Sequence, residues 1–87
     1  MVRPIRSIPD LGLALAIARK ARGWTQSVLA GKAGLRQATI SNIENGRAGV
    51  PIETLMNITS ALELDLHFTP RGGGKGQSPK DILKAFR

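Results

Sequence analysis

Residues 25–46, TQSVLAGKAGLRQATISNIENG, decide the fold of this chain. Thr25 is a residue type whose side-chain oxygen accepts from the free amides at a helix start, and Val28, Leu29 and Ala33 follow it at helical spacing. Gly34 then supplies the left-handed exit that ends a helix of about two turns. Past Gly34-Leu35 a second short helix is predicted from about Gln37 to Glu44. It buries Ile40 and Ile43, leaves Gln37, Ala38, Ser41 and Asn42 on other faces, and stops at Asn45-Gly46. Ala30 is small where the two helices must touch, and Leu29, Leu35, Ile40 and Ile43 clamp the pair onto the rest of a core.

Working outward, Ser7 is a candidate N-cap for an earlier helix, with Pro9 in its first turn and Asp10 complementing the helix dipole. That helix is predicted to run to about Arg22 and end at Gly23. Leu11, Ala14, Leu15 and Ala18 form its buried face, which Leu13 and Ile17 widen. On the other side, Pro51 marks a fourth helix whose apolar positions Ile52, Leu55, Met56, Ile58, Thr59 and Leu62 cover much of its circumference, so it wants two neighbours. Leu64, Leu66 and Phe68 alternate with Asp65, His67 and Thr69, the period of a strand, and Pro70 closes it. Residues 1–70 are read as one domain. Residues 71–87 are read as a basic, glycine-rich linker followed from Ser78 by a short helix or a disordered tail, with Ile82, Leu83 and Phe86 as a small apolar patch.

A chain of 87 residues has room for one small core. It contains no cysteine, which rules out disulfides and thiolate metal sites and fits a reducing cytoplasm. The longest apolar stretch, Leu11 to Ala18, is far short of the ~20 residues a membrane span needs, and no cleavable leader follows Met1, so a soluble, cytoplasmic protein without membrane partners is expected. The formal net charge of +7 favours a polyanionic partner. The basic excess is uneven. Residues 1–47 carry eight basic side chains against Asp10 and Glu44, residues 48–70 carry only Glu53, Glu63 and Asp65, and the tail is basic again.

Catalysis finds little footing. His67 is the only histidine, and no serine has an acid–base set around it. The run Gly72-Gly73-Gly74-Lys75-Gly76 lacks the spacing, and the hydroxyl residue after lysine, of a phosphate-binding loop. Neither metal nor cofactor is expected. Two short helices joined by a tight glycine turn suit nucleic acid instead, because the first can cross the backbone of duplex DNA while the second lies in the major groove.

The strings Gly23-Trp24-Thr25-Gln26-Ser27 and Gln37-Ala38-Thr39-Ile40-Ser41-Asn42-Ile43-Glu44-Asn45-Gly46 resemble the phage-repressor-like helix-turn-helix family, and within it the HipB-type antitoxins. The likeness spans about residues 7–69. It implies an all-α, lambda-repressor-like bundle of four to five helices with one short C-terminal β-strand pairing across a dimer. It also implies a repressor of its own toxin–antitoxin operon that binds a palindromic double-stranded operator and a HipA-type serine/threonine kinase toxin.

Carried onto this sequence, Gln37 and Ala38 open the recognition helix, where an amide can bond a base edge bidentately and a methyl can meet thymine. Ser41 faces the same way one turn later. Arg36 stands where similar antitoxins often have lysine and is open to a guanine or a phosphate contact, its fork suiting guanine better. Thr25, Gln26, Ser27, Thr39 and Asn42 fall at phosphate-contact positions, and Lys32 and Arg47 add charge. The tail from Arg71 onward does not share the family pattern.

Plainer roles stand beside these. Thr25 also serves as a helix cap, Trp24 reads as a core anchor, and Arg19, Lys20, Lys32 and Arg47 fit an ordinary solvated face. Unpaired strand edges and an over-apolar fourth helix point to a homodimer through Ile52, Leu55, Met56, Thr59, Leu62, Leu64, Leu66 and Phe68, the alternative being a strand that folds back on its own chain. Rival functions are a free-standing prophage-type repressor without a toxin, and a protein-interaction module that does not touch DNA.

Overall fold

A computed structural model describes residues 4–47 and 49–71; the linker and helix expected over 72–87 lie outside the described residues. Four helices follow in order: α1 (Ile8–Ala21), α2 (Gln26–Ala33), α3 (Gln37–Glu44) and α4 (Ile52–Ala61). Their ends sit where local chemistry puts them. The Ser7 hydroxyl accepts from the Asp10 amide at 3.1 Å, and the Asp10 carboxylate accepts from the amide of Arg6, one residue before the cap, at 3.1 Å. Thr25 Oγ1 likewise accepts from the Val28 amide at 3.1 Å. Gly34 leaves α2 at φ 70°, ψ 34°, a left-handed exit that any Cβ would penalise, and the Leu35 amide then bonds back to the Ala30 carbonyl at 2.8 Å.

α3 packs against α1 on one side and α2 on the other, and α2 also carries α4. The core between them is Leu15, Leu29, Ala30, Ile40, Ile43, Ile58 and Leu62, with Leu29, Ile40, Ile58 and Leu62 sealed from solvent. Each of these aliphatic side chains contributes about 1.5–3 kcal/mol by leaving water. Because Leu29 and Ile40 belong to α2 and α3, the same burial holds those two helices together. Where α1 crosses α3 the approach is closer still: a Cβ on the buried Gly12 would collide with the carbonyl oxygens of Ile43 and Glu44.

Two expectations are corrected. Leu13, Ile17 and Val28 do not enter the core but are exposed, because the packed faces are narrower than the apolar pattern: α1 buries Gly12, Leu15 and Arg19, and α2 buries Leu29 and Ala30. Thr59 and Leu62, expected at an intersubunit face, are 5% and 1% exposed within the single chain and are already used by its core. Residues 64–70 form no strand in the protomer, because the described residues offer no second strand to supply a hydrogen-bonded ladder. That same finding removes the fold-back alternative among the described residues. Leu64, Leu66 and Phe68 remain exposed, as do Ile52 and Met56 on α4, while Leu55 is half-buried.

Candidate nucleic-acid interface

The first turn of α3 stands clear of the protein. Arg36, Gln37, Ala38 and Asn42 are exposed, and Thr39 and Ser41 are half-buried at the flanks. Helical geometry sets Ser41 one turn beyond Gln37 and Asn42 one turn beyond Ala38, so the four share a ridge opposite the buried Ile40 and Ile43. Neither α2 nor α3 has an acidic residue in its first turn, which leaves the positive ends of both helix dipoles uncompensated beside this ridge.

The start of α2 is brought to the same place. Gln37 Nε2 donates to Gln26 Oε1 at 2.6 Å, joining the opening residues of the two helices, and Thr25 and Ser27 lie exposed on either side of Gln26. Gln26 Nε2 in turn donates to Glu44 Oε1 at 3.0 Å, from the N-terminal end of α2 to the last residue of α3. Behind it, Arg19 of α1 grips both oxygens of Glu44, Nε to Oε2 at 2.7 Å and Nη2 to Oε1 at 2.9 Å, while Nη1 donates to the Trp24 carbonyl at 2.7 Å. A continuous polar chain therefore runs from a buried arginine out to the first side chain of α3.

Burial alone would raise the Glu44 carboxyl. The hydrogen bonds from Arg19 and Gln26, together with the positive charges of Arg19 and Lys20, outweigh it and hold the group below its ordinary value. The hydrogen bond to Glu44 correspondingly raises Arg19 despite its burial. The pair is a fixed, ionised strut.

The remaining candidates are placed differently. Lys32 lies at the far end of α2, its ammonium 4.8 Å over the ring of Trp24, whose ring also has Arg22 at 5.1 Å; this couples it to the packing of α2 rather than to the α3 ridge. Trp24 itself packs against the core. Arg47 is exposed just past α3, its amide bonded to the Asn42 carbonyl at 3.1 Å. Arg19, expected on a solvated face, and Glu44, expected only to end a helix, have roles that spacing along the chain does not show. A signal existed: Gly12, Leu15 and Arg19 fall on one buried stripe of α1, and a charge on such a stripe implies a buried partner.

Among the described residues no helix is long and apolar enough to cross a membrane. Residues 15–68 match the helix-turn-helix family. Over 62 residues the chain is 44% identical to the antitoxin HipB of Escherichia coli K12, covering 71% of this chain and 70% of that protein. Two solved structures align with it at 38% identity over 80% of this chain and 99% of theirs: a HipB–O4 20mer complex at TM-score 0.73 and a HipA–HipB–O2–O3 complex at TM-score 0.72. The restriction-modification controller protein C.AhdI of Aeromonas hydrophila aligns at TM-score 0.65 and 26% identity, over 67% of this chain and 84% of its own. The motif across α2 and α3, the four-helix core and these likenesses agree: the chain belongs to the helix-turn-helix family, among the HipB antitoxins.

Proposed function

We propose that this protein is a cytoplasmic DNA-binding antitoxin that represses its own operon, seating α3 in the major groove of a palindromic operator and binding a HipA-type toxin. The observation that carries the reading is the exposed ridge Gln37–Ala38–Ser41–Asn42, tied at its tip to α2 by the Gln37–Gln26 bond. Gln37, Ala38 and Ser41 contact base edges there, with Arg36 beside them. Thr25, Gln26, Ser27, Thr39, Asn42 and Arg47 contact phosphates, aided by the uncompensated helix ends. Lys32, held over Trp24, adds only to the long-range field.

A two-fold dimer presents two such ridges to half-sites about one DNA turn apart. Its interface draws on Ile52, Leu55, Met56, Leu64, Leu66 and Phe68, with residues 64–69 of the two copies pairing as strands; among the described residues the amides of 65–69 have no backbone partner, while that of Leu64 is bonded to the Thr59 carbonyl. The HipA–HipB–O2–O3 complex among the similar structures supports a HipA-type partner.

Footprinting on the upstream region of the protein's own gene, with binding measured across a salt series, tests this reading. A protected palindrome and a steep fall in affinity with salt are expected. Equal binding to random duplex at every salt concentration rejects it.

A further inference from the structure

The polar chain beneath the ridge has a direction, and its buried end sets it. An ionised carboxylate only accepts hydrogen bonds, so the Gln26 atom that faces Glu44 must be its NH2 group. Gln26 then has its carbonyl oxygen turned toward Gln37, and Gln37 must answer with an N–H, as the 2.6 Å bond has it. One N–H of Gln37 is thereby used within the protein. What remains on the outer edge of its amide is one acceptor, Oε1, and one donor, the second N–H.

That pair matches one base and mismatches another. In the major groove adenine offers an acceptor at N7 beside a donor at N6, whereas guanine offers two acceptors, N7 and O6. An amide free to turn over, or with both N–H groups free, has two donors to offer and tolerates guanine. We infer that Glu44, lying beneath the ridge, acts through Gln26 as a positioning residue that limits Gln37 to adenine.

Arg19 completes the device. Its two hydrogen bonds keep the carboxylate fixed, at side-chain exposures of 10% for Arg19 and 6% for Glu44, so neither oxygen rotates away from Gln26. This inference rests on Gln37 contacting a base, and the test separates the two.

The full-length protein is titrated by competition against operator duplexes carrying each of the four bases at the pair where Gln37→Ala flattens discrimination. The wild type favours adenine over guanine there by about tenfold. Gln26→Met, which keeps side-chain length and leaves the Arg19–Glu44 pair intact, lowers that ratio below about threefold. Preferences at the other operator positions stay as they are. Losing the phosphate contact of Gln26 weakens all duplexes alike, and that effect cancels in the ratio. Thermal melting of the variant, followed by the fluorescence of Trp24, shows that the fold is retained. Glu44→Gln, read only at temperatures where it is folded, gives the same relaxed ratio, because a neutral amide permits both directions.

An undiminished adenine preference in Gln26→Met, alongside its loss in Gln37→Ala, overturns the inference while leaving the base contact standing. A wild-type preference for guanine at that pair also overturns it. If Gln37→Ala alters discrimination nowhere in the operator, the base contact itself falls and the inference goes with it.

Discussion

Arg19 and Glu44, 25 residues apart in the chain, meet in a two-pronged ion pair that fastens the last turns of α1 and α3 to each other. Arg19 also holds the Trp24 carbonyl, so three segments converge on one guanidinium. The tilt of α3, and with it the aim of the ridge, is held by this joint together with the apolar core.

Removing one partner strands a buried charge. Arg19→Met or Glu44→Ala is expected to destabilise the protein by about 3–5 kcal/mol, whereas replacing both with apolar residues of similar size is far milder. Urea denaturation of the two single variants and the double variant checks this; singles and double that are equally destabilised contradict it.

The same carboxylate makes stability depend on acidity. Glu44 is held below its ordinary value in the folded state, so its contribution is complete above about 4.3, the unfolded value, and is lost as pH falls through the lower folded value. Wild-type melting temperature should drop on that acid limb, and Glu44→Gln should be flatter there. Parallel limbs for the two proteins would count against the assignment.

Gly12 is the other joint between α1 and α3. A methyl group in its place meets the Ile43 and Glu44 carbonyls, which are backbone and cannot swing aside, so Gly12→Ala must push the helices apart. The expected loss is about 1–3 kcal/mol of stability. Operator affinity should fall further than the stability loss alone explains, since α3 is displaced. Binding measured where the variant is fully folded is the check.

Glu63 follows α4 at φ 57°, a left-handed conformation that disfavours a side chain. It ends the helix with the Leu64 amide bonded to the Thr59 carbonyl at 2.8 Å. Its exposed ion pair with Arg22, at 3.1 Å, offsets little of that strain. Glu63→Gly should therefore stabilise the fold by about 0.5–1 kcal/mol, visible as a higher melting temperature, and Glu63→Ala should not.

Phe68 is 82% exposed and Leu66 40% in the single chain. Leu66→Lys combined with Phe68→Lys should convert the protein to a monomer in equilibrium sedimentation. Operator binding should weaken by orders of magnitude while helix content stays unchanged, because both residues lie outside the four-helix core. A monomeric wild type at micromolar concentration would refute the dimer.

Much of this architecture is local and was legible. Ser7, Thr25 and Gly34 act on amides within a turn of themselves, so the starts of α1 and α2 and the exit from α2 follow from neighbouring residues. The alternation of buried Ile40 and Ile43 with Gln37, Ala38, Ser41 and Asn42 marks a two-faced α3 for the same reason. Packing over longer distances decided the rest. Leu13 and Ile17 have the periodicity of a core face but lie exposed, and Leu62 is sealed inside the protomer rather than offered to another. The contact of Gly12 with α3, and the alignment of Arg19, Glu44, Gln26 and Gln37 into one polar chain, exist only once three helices have docked. A residue's spacing tells which way it faces on its own helix; what waits on that side is set by how the helices cross.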